Sequence, residues 1–194
     1  MFVNGLTIAL KEEIGNPDLF VGRKKELDYF LDWAVNTKRE LSQSTAILAR
    51  RKKGKTALVQ RLFNLLYTLN DPQIVPFYYK IKEGKTTQLR FSENFYLSLL
   101  SQYFGFKLRD PHLVQEVLSY DELLQLAEDD ELIRRDIQRM QNLIQDNNSD
   151  RAWETARDAG HRLAGKKDIK IIQIIDEFQY LNEYIYTDQT YTTK

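Results

Sequence analysis

Two short groups of residues in this chain have types and spacing suited to phosphate chemistry. The first is Gly54-Lys55-Thr56, preceded by Arg50-Arg51-Lys52-Lys53 and followed by Ala57. A basic loop that runs into a helix offers cations and unpaired backbone N–H groups together, and that combination holds phosphate. There Lys55 would reach the β- and γ-phosphates of a nucleotide, and the Thr56 hydroxyl would ligate Mg²⁺. The second group is Asp176-Glu177. Asp176 would hold the same Mg²⁺ through a water, while Glu177 would act as general base on the attacking water.

Such residues work only if strands and helices deliver them. Thr45-Ala46-Ile47-Leu48 has the length and composition of a buried strand leading into the basic loop. Beyond Lys55, the residues Leu58, Val59, Leu62, Leu65, Leu66 and Leu69 recur at three- and four-residue spacing, the period of an amphipathic helix. Strand, basic turn, Lys-Thr, helix is the layout of a phosphate loop. The pattern G-x-x-x-x-G-K-[ST] asks for glycine at position 49, where this chain has Ala49. The acidic pair closes the run Ile169-Lys170-Ile171-Ile172-Gln173-Ile174-Ile175, whose β-branched character predicts a strand buried on both faces of a parallel sheet. Ligands collect at the carboxyl ends of such strands.

Between the two groups the chain reads as mostly helical. Phe20-Val21-Gly22-Arg23 leads into a helical pattern through Leu27, Phe30, Leu31, Trp33 and Ala34. Residues 1–19 read as an irregular lead-in with a turn at Gly15-Asn16-Pro17-Asp18. Ile74 to Ile81 reads as a strand, and Pro76 suggests that its regular part starts just after the proline. Ser92 to Phe104 predicts a helix ended by Gly105. Tyr120 to Ile144 predicts one long charged helix with a stripe of Leu126, Ile133, Ile137, Met140 and Ile144. A further helix through Trp153 and Leu163 is expected to close at Gly165.

Lys plus Arg and Asp plus Glu number 28 each, so bulk charge indicates no nucleic-acid or membrane partner. The chain has no cysteine, which excludes disulfides, thiol catalysis and cysteine-ligated zinc. His112 and His161 stand apart and form no ligand cluster. No apolar run approaches the roughly 18 residues of a membrane span. A basic leader is also absent, and a cytoplasmic protein is expected.

Three segments together resemble one family: Phe20-Val21-Gly22-Arg23 with Glu26, Arg50-Arg51 leading into Gly54-Lys55-Thr56, and Ile174-Ile175-Asp176-Glu177-Phe178-Gln179. They are similar to the prokaryotic AAA-type P-loop ATPases related to the STAND signalling NTPases and to archaeal ATPase-domain proteins. The resemblance covers roughly residues 20–70 and 168–182. It implies an α/β fold, a parallel P-loop sheet of the ASCE/AAA type flanked by helices, with ATP and Mg²⁺ as ligands. Residues 20–182 would form that core, with a helical insertion at about 92–165 before the Walker B strand and a short tail at 183–194. It further implies that Val21 and Gly22 contact the base and that Arg23 and Glu26 steady that segment. Gln179 would sense nucleotide state, or is simply a surface glutamine. The family also has a sensor strand and a helical lid after Walker B. The expectation is therefore the N-terminal portion of a longer ATPase, or a truncated gene product, with slow turnover alone and a protein partner or self-association through the missing region.

Three functions remain open at this level. The first is a nucleotide-driven switch or ATPase module. The second is a nucleic-acid-associated ATPase of the origin-recognition or transposition-helper type, which the Arg50–Lys55 cations would suit but the balanced charge does not indicate. The third is a non-enzymatic interaction module with a degenerate loop.

Overall fold

The elements, in chain order, are α1 (Lys24–Asn36), α2 (Lys55–Leu69), β1 (Ile74–Lys80), β2 (Thr86–Thr87), α3 (Gln88–Lys107), α4 (Pro111–Gln115), α5 (Tyr120–Leu126), α6 (Glu131–Gln145), α7 (Ser149–Lys167), β3 (Lys170–Asp176), α8 (Tyr180–Tyr184) and β4 (Ile185–Tyr186). The computed structural model describes residues 5–14, 20–50 and 53–194. Arg51, Lys52 and the expected turn at 15–18 lie outside the described residues.

β1 and β3 run parallel, with Tyr78 opposite Ile174 and Lys80 opposite Asp176. Alternation along β1 builds three layers. Phe77 and Tyr79 face α3, where they meet Phe91 and Phe95, with Trp153 of α7 beside that pair. Tyr78 faces the other way, toward Gln60 of α2. A mixed helix–strand domain with its core on both faces of a short parallel sheet is the result.

β1 runs straight through Pro76, contrary to the expectation that the strand starts after it. Direction explains this. Gln73 O accepts from Lys170 N and Ile81 N donates to Asp176 O, so odd-numbered residues of β1 turn their backbone toward β3. Pro76 turns toward the outer edge, where its missing N–H forfeits no ladder bond. The next outward residue, Tyr78, has its N–H and C=O both satisfied by the Gln102 amide of α3, at 2.9 and 2.8 Å. A side chain thus covers the sheet edge.

Other expectations are corrected. Thr45–Leu48 is no buried strand: it pairs with no described residue, and Leu48 is 91% exposed. A strand persists only where its backbone groups find a ladder, and the cations that follow keep this stretch in water. Gly105 does not end α3 but lies inside it, where Val114 of α4 packs against its bare Cα. Gly165 likewise lies within α7, which closes instead on Asp168 in a left-handed conformation. The single helix expected over 120–144 is two helices, because the Asp130 side chain accepts from Ile133 N and starts α6 afresh. Leu126 accordingly falls off the stripe and stays exposed. Within the short tail, β4 pairs in parallel with β2.

Residues 5–14 have no regular structure, yet they are strapped along α2. Thr7 N donates to Thr68 Oγ1, Leu10 N to Asn64 Oδ1 and Glu13 N to Gln60 Oε1, at 2.8–2.9 Å. Buried Glu12 accepts from the Arg61 guanidinium through both oxygens and from Asn64 Nδ2.

Candidate phosphate-binding site

α2 begins at Gly54, whose φ of 73° lies in the left-handed region where only glycine is unstrained. Gly54 has no side chain to cap this end, and among the described residues none accepts from the first N–H groups of Lys55, Thr56 and Ala57. The helix dipole adds partial positive charge there. The Lys55 ammonium curls back to donate to Ala49 O at 2.8 Å. Ala49 itself is not among the described residues with a left-handed backbone, so a methyl group in place of the pattern's glycine costs little here.

Arg23 ties the preceding segment to this loop. Its guanidinium donates to Lys53 O at 2.8 Å and pairs with Glu26 at 2.7 Å. That hydrogen bond holds the Glu26 carboxyl below its usual range. Arg23 thus links the segment before α1 to the loop through Lys53 O.

A cavity of about 430 Å³ opens beside it, within the range of small-molecule sites. Lys53, Gly54 and Lys55 line one side, and Ala46 to Ala49 line another. The rest comes from α1 and its approach, with Arg23, Tyr29 and Phe30. Among the described lining residues, cations outnumber the one carboxylate, Glu26, which suits a polyanion. Val21 and Gly22 are not among the lining residues, and Val21 is 85% exposed. The aromatic pair Tyr29–Phe30, with rings 5.1 Å apart, lines the wall instead. Arg50, Thr56 and Ala57 are also outside the lining. Arg50 is exposed, while Thr56 and Ala57 are half-buried on the first turn of α2.

The acidic group stands at the carboxyl end of β3. Asp176 is only 7% exposed. Its Oδ2 accepts from Tyr78 Oη at 3.0 Å, and its Oδ1 from Glu177 N at 3.0 Å. Gln60 Nε2 donates in turn to Tyr78 Oη at 3.3 Å. Gln60 lies one helical turn beyond Thr56, on the same face of α2. A chain of two hydrogen bonds therefore joins the helix that starts at the phosphate loop to Asp176. Glu177 follows with φ 57°, a backbone that costs a non-glycine residue about 1–2 kcal/mol. Its carboxylate accepts from Gln179 Nε2, so the expected sensor touches the expected base.

The charge balance at Asp176 tests whether a cation fits. Among the described residues Asp176 forms no ion pair, although a buried carboxylate is costly without positive charge nearby. A divalent cation would supply that charge. The described residues also contain no group of three or more His, Cys, Asp or Glu side chains able to hold a metal alone. A cation shared with phosphate oxygens needs no such group.

Sequence reading missed Tyr78, Gln60 and Gln102. The signal for Gln60 was present: Gln60, Asn64 and Thr68 interrupt the leucines of α2 at four-residue spacing, a polar stripe that needs a partner. Comparison with family models, with curated proteins and with solved structures gives no match to this chain.

Proposed function

We propose that this chain is an ATP–Mg²⁺-binding module of the P-loop ATPase kind, working as a nucleotide-dependent switch and hydrolysing ATP with Glu177 as the base. One observation carries the reading. Among the described residues the start of α2 is uncapped and opens on a basic cavity, and the same helix is hydrogen-bonded through Gln60 and Tyr78 to a buried carboxylate that none of them ion-pairs.

Each residue then has a task. The α2 N–H groups and Lys55 hold the phosphates, with the Lys55 ammonium exchanging the Ala49 carbonyl for phosphate oxygen. Thr56 and Asp176 would hold the cation, which would supply charge neutralisation for the phosphates. Glu177 accepts a proton from the attacking water while Gln179 orients its carboxylate. Tyr29 offers the base an aromatic wall. Arg23 keeps the loop in register through Lys53 O.

Titration of a fluorescent ATP analogue in Mg²⁺ tests the cradle. Wild type is expected to saturate in the micromolar range, and Lys55→Ala to bind at least tenfold more weakly. Equal binding by the two proteins would remove Lys55 from the site.

A further inference from the structure

We propose that Tyr78, oriented by Gln60, is a positioning residue that fixes the Asp176 carboxylate for its cation. This inference rests on the ATP–Mg²⁺ reading above and extends it to groups that do not touch the ligand.

The direction of every hydrogen bond in the chain is determined from one end. Glu13 N can only donate, so Gln60 Oε1 must accept at 2.8 Å. The Gln60 amide then turns its Nε2 toward Tyr78 Oη. Having accepted there, the phenol directs its single proton at Asp176 Oδ2. Glu177 N is the donor to the other oxygen. Both carboxylate oxygens are thus held by donors of fixed sense, and each keeps a further lone pair.

Tyr78 is itself held at its backbone and at its ring. Its backbone is clamped by Gln102 on the outer edge of the sheet, and its ring is buried between α2 and the sheet. A phenol keeps its proton at physiological pH, so Tyr78 stays a donor to Asp176 Oδ2. Neutral donors orient a carboxylate without cancelling its charge, whereas a lysine or arginine here would compete with the cation. Partners of this kind around a metal ligand are worth tenfold to a hundredfold in metal affinity.

The deciding experiment titrates Mg²⁺ against wild type, Tyr78→Phe and Gln60→Met, each holding a fluorescent ATP analogue at fixed concentration, with a parallel titration in EDTA. The Mg²⁺ concentration for half-maximal effect is expected to rise about tenfold in Tyr78→Phe and about threefold in Gln60→Met. Metal-free nucleotide affinity should stay within about twofold of wild type, since phosphate contacts are untouched. A wild-type Mg²⁺ half-point in Tyr78→Phe overturns the proposal, as does an equal loss of affinity with and without metal. Should Tyr78→Phe fail to fold, an unchanged half-point in Gln60→Met overturns it. Wild type that binds the analogue in neither condition defeats the ATP reading itself, and the inference with it.

Discussion

Asp176 and Lys55 show how a single residue's surroundings decide its use. A carboxylate buried at the end of β3 would normally be paired, and among the described residues this one is met only by a phenol and a backbone N–H. Lys55 has an exposed carbonyl as its resting partner, a contact weak enough to give up to an anion. Glu177 differs again: it is half-buried, backbone-strained and held by Gln179. Exchanging its carboxylate for an amide keeps the shape and removes the base. Glu177→Gln is therefore expected to bind the ATP analogue as wild type does, while phosphate release falls at least a hundredfold. Turnover equal to wild type would exclude Glu177 as the base. Acidic and basic residues were legible in the sequence because their types announce their chemistry. Tyr78 was not, since an aromatic residue in a strand is ordinarily core, and only the opposing Gln60 reveals its hydroxyl's task.

Elements, rather than residues, account for the corrected expectations. Gly105 reads as a helix stop, yet α3 continues through it because glycine lets α4 approach. A Cβ there would stand 2.7 Å from Val114 Cγ2 and 2.9 Å from Val114 N. Gly105→Ala should cost about 1–3 kcal/mol in urea unfolding, as overpacking against a backbone does. A smaller cost would mean that α4 shifts freely. The strap at 5–14 is the second case. Residues 1–19 read as an irregular lead-in and 5–14 have no regular structure, but the backbone of this stretch uses Gln60, Asn64 and Thr68 as a substitute strand. Glu12→Ala removes a buried carboxylate that the Arg61 guanidinium and Asn64 Nδ2 both hold. A loss of about 3 kcal/mol is expected in the same assay. Strand 45–48 failed for a different reason: apolar composition predicts burial only where a neighbouring ladder exists, and a sequence window does not contain its neighbour.

At the scale of the whole molecule, β1 and β3 form a parallel pair between helical layers, and no helix of the described residues is long and apolar enough to cross a membrane. Periodicity made α2 and β3 readable, because both bury a continuous apolar set. The packing that joins them depends on long-range polar pairs that no periodicity encodes. The many buried tyrosines give the fold a pH limit. Burial pushes Tyr79 up to about 12, and burial with the nearby Asp130 charge does the same for Tyr103. A group that is protonated in the fold but ionises near 10 when unfolded stabilises fully below pH 10, and this contribution is lost as pH rises toward 12. Melting temperature should thus fall steeply between about pH 10 and 12, and a flat profile there would mean that these phenols are already solvated. The most direct test of the central claim is thermal melting of wild type with and without millimolar ATP–Mg²⁺. Ligand at about a hundredfold over its Kd stabilises the native state by about 2.7 kcal/mol, which for a chain of this size raises Tm by about 5–10 °C. The account predicts that rise with ATP–Mg²⁺ and its loss in Lys55→Ala; an unmoved wild-type Tm would contradict it.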